Sequence, residues 1–105
     1  MKEVTVQQLK QMKDAGEEFQ LIDVREQYEV EICSIGGDHI PMGEILTRAG
    51  EVKKDIPVVV HCRSGARSSN VINALEMQLG LTNLHNLKGG ILAWANEIDQ
   101  NMEQY

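Results

Sequence analysis

The stretch "VVVHCRSGARSSN", Val58 to Asn70, runs from a β-branched apolar segment through a cysteine into a polar, glycine-containing turn and two arginines. Bounded by Pro57, the apolar run predicts a strand over Pro57 to Cys62, of the kind buried at the centre of a parallel sheet. Beyond the turn, Ile72, Leu75 and Leu79 recur on one stripe and Gly80 follows, which predicts a helix over Ala66 to Leu79 with a glycine C-cap. Cys62 therefore falls at the carboxyl end of a strand, where open α/β sheets form their sites.

On either side of it, "FQLID" (Phe19 to Asp23) reads as a second central strand and "NLHNL" (Asn83 to Leu87) as a shorter one. "VT" near Val4 and "HI" near His39 suggest edge strands. Thr5 and Gln8 have capping-box spacing, Val6, Leu9 and Met12 follow at helical intervals, and Gly16 ends that helix. Ile91, Trp94, Ala95 and Ile98 form a last apolar stripe. The expected fold is an α/β sandwich, with helices on both faces of a mainly parallel sheet, in one domain over residues 1–105.

The composition is that of a globular chain, with 42% hydrophobic and 25% charged residues. A net charge of -6 argues against a phosphate-backbone binder, which needs a basic face. "MKEVTVQQLKQ" lacks the apolar core of a secretory signal and no window is long enough to span a bilayer, so a cytoplasmic protein is expected. Cys33 and Cys62 fit neither a disulfide framework nor a zinc site, and reduced thiols with no metal are expected.

The chemistry is carried by the loop after the central strand. Ser64 and Gly65 allow backbone N–H groups to turn inward before the helix starts near Ala66, which makes an anion cradle. A thiol there faces N–H groups, a helix N-terminus and the guanidinium groups of Arg63 and Arg67, so its pKa should fall below the free value of roughly 8.5. Cys62 is thus the candidate nucleophile, and the donors that activate it also suit an anionic substrate or intermediate. The bland alternative, a small buried hydrophobe, leaves the coincidence of strand end, glycine turn, helix start and two arginines unexplained. Cys33, in "VEICSIGG", has no basic residue near it in sequence and is read as a buried structural thiol.

Counting separates two anion chemistries. Cysteine phosphatases resemble this stretch but place five residues between Cys and Arg, whereas four, Arg63 to Ala66, stand between Cys62 and Arg67. The tighter ring suits one extra sulfur better than a phosphoryl group. "CRSGARS" resembles the active-site loop of the rhodanese-like sulfurtransferases, and the likeness extends to "LIDVRE", "DHIPMGEI" and "NLKGGILAW" in the same order. Asp38 before His39, with "PMGEI" after, is similar to the variant found in rhodanese domains fused to enzymes that adenylate sulfur-carrier proteins.

The resemblance implies a rhodanese-like three-layer sandwich with a five-stranded parallel sheet, needing no cofactor. It implies that Cys62 cycles between thiol and persulfide, taking sulfur from thiosulfate or another sulfane donor and passing it to a thiol, cyanide or a sulfur-carrier protein. Backbone N–H groups from Arg63 through Ser64, Gly65, Ala66 and Arg67 to Ser68 would hold the persulfide, with Arg67 and Arg63 guiding anions and Ser64 and Ser68 donating further. Asp23 and Arg25 are expected to tie the strand end to neighbouring loops, Glu26 to begin a helix, and Trp94 to lie in the core. His61 alternates to the face opposite Cys62 and is read as structural, and His39 and His85 have no partner that sequence identifies. A persulfide carrier or sensing module without turnover, and an arsenate reductase or phosphatase on the same scaffold, are the alternatives.

Overall fold

The computed structural model describes residues 1–105. In chain order the elements are β1 (Glu3–Val4), α1 (Val6–Asp14), β2 (Gln20–Asp23), α2 (Gln27–Ile32), β3 (Asp38–His39), β4 (Val58–His61), α3 (Ala66–Leu79), β5 (Leu84–Leu87) and α4 (Gly90–Glu97). Two short 3-10 turns, Met42–Glu44 and Ala49–Glu51, lie between β3 and β4. The five strands form one parallel sheet in the order β1-β5-β4-β2-β3.

β4 is central because its side chains tolerate burial on both faces. Val58 to His61 pair in register with Gln20 to Asp23 of β2, and Val58 to Val60 pair with Leu84 to Asn86 of β5. Alternation then divides the core. Val58, Val60 and Cys62 face Val71, Ile72 and Leu75 of α3. Val59 faces the opposite cluster, with Leu9 of α1 and Ile91 and Trp94 of α4.

Local signals account for the helix ends. The α1 capping box is complete, with Gln8 N–H donating to Thr5 Oγ1 at 3.1 Å and Thr5 N–H donating to Gln8 Oε1 at 2.8 Å. α1 gives way at Ala15 and Gly16, and α3 closes at Gly80. Glu26 caps α2, as expected of the residue beginning that helix. One expectation fails: Leu79 does not join the α3 stripe but is 46% exposed. Leu81, just past the helix, fills the end of that cluster instead, because the chain turns inward after Gly80.

The cysteine loop is backed by the start of α4. Gly90 has φ +60, and a Cβ there would lie 2.4 Å from the Arg63 carbonyl oxygen and 2.7 Å from that of Cys62. This close approach lets Ile91 N–H donate to Cys62 O at 3.0 Å and Leu92 N–H to Arg63 O at 3.1 Å. Gly90→Ala is expected to destabilise the protein by about 2–4 kcal/mol, from backbone strain and overlap together. Urea unfolding checks this, with a lower midpoint at unchanged slope as the expected result.

Candidate active site

Cys62 follows β4 directly and is 1% exposed. Its Sγ accepts from Gly65 N–H at 3.1 Å and Ser68 N–H at 3.4 Å, and Ser68 Oγ lies 3.4 Å away. The loop can curl this tightly because Gly65 takes φ +113 as the N-cap of α3, a conformation closed to most side chains. Burial alone would push the thiol up. The N–H groups of Ser68, Gly65 and Ser64 act against burial, and the pKa lies below the ordinary value. The Ala66 and Arg67 N–H groups precede any intrahelical acceptor, which leaves the first turn of α3 with donors to spare beside the sulfur.

The two arginines of the loop are each held by a partner. Arg67 forks onto Glu29, with Nη1 to Oε1 at 2.7 Å and Nη2 to Oε2 at 2.8 Å. Arg63 Nε donates to the Tyr105 carbonyl oxygen at 2.7 Å, its Nη2 donates to the same oxygen, and its guanidinium lies 5.0 Å from the centre of the Tyr105 ring. The Tyr105 hydroxyl donates to Glu29 Oε2 at 2.7 Å and accepts from Arg25 Nη1 at 3.0 Å. Glu29 and Tyr105 thus join both loop arginines to the sheet edge.

Beneath them Arg25 is completely buried and paired with Asp23, with Nη2 to Oδ2 at 2.7 Å. The pair ties β2 to α2, since Arg25 Nη2 also donates to the Cys33 carbonyl oxygen at 2.8 Å and Nη1 to that of Glu29 at 3.3 Å. Burial pushes the Asp23 carboxyl up, but Arg25 and the neighbouring His61 bring it below its usual range. His61 is buried with Asp23 Oδ2 at 3.7 Å, and burial lowers its pKa to about 4 despite that carboxylate, so it is neutral at pH 7. It offers Cys62 neither a proton nor an acceptor from its side of the sheet. His39 Nε2 meets the Arg25 carbonyl oxygen at 2.6 Å and His85 Nδ1 that of Val58 at 3.4 Å, both backbone contacts. Trp94 lies in the core.

The structure brings Cys62, Ser64, Gly65 and Ser68 together around one sulfur, and turns Arg63 and Arg67 onto the rim. Sequence reasoning missed Glu29, Tyr105 and Asn86. Asn86, on β5, reaches Ser68 Oγ at 2.6 Å and the Gly65 carbonyl oxygen at 3.1 Å. It missed too that Cys33, half-buried, has the Arg25 guanidinium 3.9 Å from its sulfur. Arg25 stands eight positions before Cys33, and no spacing pattern in the sequence pointed to that contact.

The fold is thus a parallel α/β sheet that carries, at its carboxyl edge, a thiol ringed by N–H donors. Residues 5–97 match the rhodanese-like domain, and the chain belongs to that family. The YtwF protein of Bacillus subtilis, named as a sulfurtransferase, is 42% identical over 98 residues, covering 92% of this chain and 93% of its own length. The adenylyltransferase/sulfurtransferase MoeZ of Mycobacterium tuberculosis is 33% identical over 105 residues, 97% of this chain but 26% of that protein. Among solved structures, a rhodanese-like domain protein of Staphylococcus aureus superposes with a TM-score of 0.83 at 29% identity, over 93% of this chain and 95% of that one.

The Glu29 fork has a pH signature. Arg67 holds the Glu29 carboxyl at about 2, well below its unfolded value of about 4.3. A carboxyl depressed by folding contributes stability that is full above the unfolded pKa and is lost as pH falls towards the folded one. Glu29→Gln is therefore expected to flatten the loss of stability between about pH 5 and pH 2, as well as lowering stability at pH 7. Denaturant midpoints across that range check it.

Proposed function

We propose that this protein is a sulfurtransferase in which Cys62 carries a persulfide. The observation that supports the reading is the ring of donors from Gly65, Ser68 and Ser64 around a sulfur that faces no competing side-chain base. The activities named for its relatives agree with it.

The Cys62 thiolate attacks the outer sulfur of thiosulfate or another sulfane donor. A bond forms between Sγ and that sulfur as the donor's own S–S bond breaks, and its electron pair leaves with sulfite. The negative charge now sits on the outer sulfur, within reach of the first-turn N–H groups of α3. Cyanide or a thiol, including a thiol on a partner protein, then attacks the outer sulfur, and the electron pair of the broken bond returns to Sγ as thiolate. Each half-reaction ends before the other begins, so the kinetics are ping-pong.

Arg63 is the arginine better placed to steer an incoming anion, because it is exposed whereas Arg67 is half-buried and forked onto Glu29. Arg67 serves by keeping Glu29 neutralised beside the loop. Four residues between Cys62 and Arg67, rather than five, set the reading apart from phosphoryl transfer.

Incubation with thiosulfate followed by intact-mass measurement tests the proposal. The wild type is expected to gain the mass of one sulfur atom and Cys62→Ser none. No gain in the wild type, or an equal gain in the serine variant, contradicts it. Catalytic release of thiocyanate with cyanide distinguishes an enzyme from a persulfide carrier that loads once and waits for a protein acceptor.

A further inference from the structure

Asn86 stands on β5 beside the cysteine loop, 6% exposed, and the sulfur chemistry proposed above makes no use of it. Its Nδ2 donates to the Gly65 carbonyl oxygen at 3.1 Å, and its Oδ1 lies 2.6 Å from Ser68 Oγ. A carbonyl only accepts, so Gly65 dictates which end of the carboxamide faces it. Oδ1 must then face Ser68, and only the hydroxyl hydrogen can make that contact. Two other acceptors compete for the same hydrogen, the Gly65 carbonyl oxygen at 3.2 Å and Cys62 Sγ at 3.4 Å, both more distant. With its hydrogen on Asn86, Ser68 turns a lone pair towards the sulfur.

We infer that Asn86 is a positioning residue that, by holding the Ser68 hydroxyl, makes Ser68 an acceptor for the Cys62 thiol instead of a donor to its thiolate. In the protonated state the chain runs from S–H to Oγ and from O–H to Oδ1, with every hydrogen placed. In the thiolate state the hydroxyl can turn to the sulfur only by leaving a buried amide oxygen against an oxygen lone pair with no donor. The N–H groups of Gly65 and Ser68 are then what stabilises the charge.

The consequence differs between the two states of the cycle. A negative charge on Sγ meets the Ser68 lone pair, whereas in a persulfide the charge has moved one atom outward and Sγ is neutral. Asn86 thus disfavours the empty thiolate relative to the loaded form and favours uptake of sulfur. This last step rests on the persulfide reading, but the effect on thiol acidity does not.

The test is the pH profile of Cys62 alkylation by iodoacetamide, measured in a Cys33→Ser background so that one thiol reports. Asn86→Leu frees the hydroxyl to donate and is expected to lower the midpoint by about half a pH unit, roughly a threefold change in the acid constant. Ser68→Ala removes the acceptor and is expected to leave the midpoint unchanged or lower. With Ser68→Ala present, Asn86→Leu is expected to add no further shift. A purely structural Asn86 would lower the melting temperature without moving the midpoint. An unchanged or raised midpoint in Asn86→Leu, a raised midpoint in Ser68→Ala, or an Asn86→Leu shift that persists without Ser68 overturns the inference. Should Asn86→Leu fail to fold, the direction of the Ser68→Ala shift decides alone. No sulfur donor is present, so a protein that never forms a persulfide would sink the proposed function and leave this result standing.

Discussion

The buried sulfur of Cys62, enclosed yet ringed by N–H donors, is the point around which this protein is arranged. A side chain as enclosed as Cys62 would by burial alone stay protonated. Its charge becomes tolerable because backbone N–H groups already point at it, fixed by the fold before any substrate arrives. That preorganisation makes demands at a distance. Gly65 must take a conformation barred to most residues, α3 must begin without a side-chain cap so that its first N–H groups stay open, and Gly90 must let α4 press against the back of the loop. The central strand supplies the rest, since β4 delivers Cys62 to the sheet edge with Val58 and Val60 anchored on the same face.

The charged groups around the loop answer to a second need, which is to hold three arginines near Cys62 without burying an unpaired cation. Glu29 neutralises Arg67, Asp23 neutralises Arg25, and Tyr105 bridges the two pairs while its ring and carbonyl steady Arg63. The acidic overall balance of the chain therefore coexists with a rim of guanidinium groups at the site. Between them, Asn86 decides where one hydroxyl hydrogen points, and with it how readily the sulfur ionises.

The architecture was legible where the signal is local. The valine run, the Thr5–Gln8 capping box and the glycines after α1 and α3 each report on a handful of adjacent residues, and the structure bears them out. The cysteine loop was legible for the same reason, because strand, turn and helix start are contiguous. Leu79 misled because the helical period runs to the last turn of α3, whereas the chain turns at Gly80 and puts Leu81 in the cluster instead. The partners of the loop were invisible: Glu29 lies 38 residues from Arg67, Tyr105 42 from Arg63 and Asn86 18 from Ser68, and no spacing rule connects residues so far apart. The short α2, six residues of mixed polarity, offered too little periodicity to reveal that Glu29 faces the site.

The most direct measurement follows the sulfur atom itself. Thiosulfate labelled at its outer sulfur is incubated with the protein, excess donor is removed, and the label is mapped by peptide and then chased with cyanide. One labelled sulfur per chain is expected, on the peptide containing Cys62, released in full as labelled thiocyanate. Label on the Cys33 peptide, or none retained once the donor is gone, would contradict it.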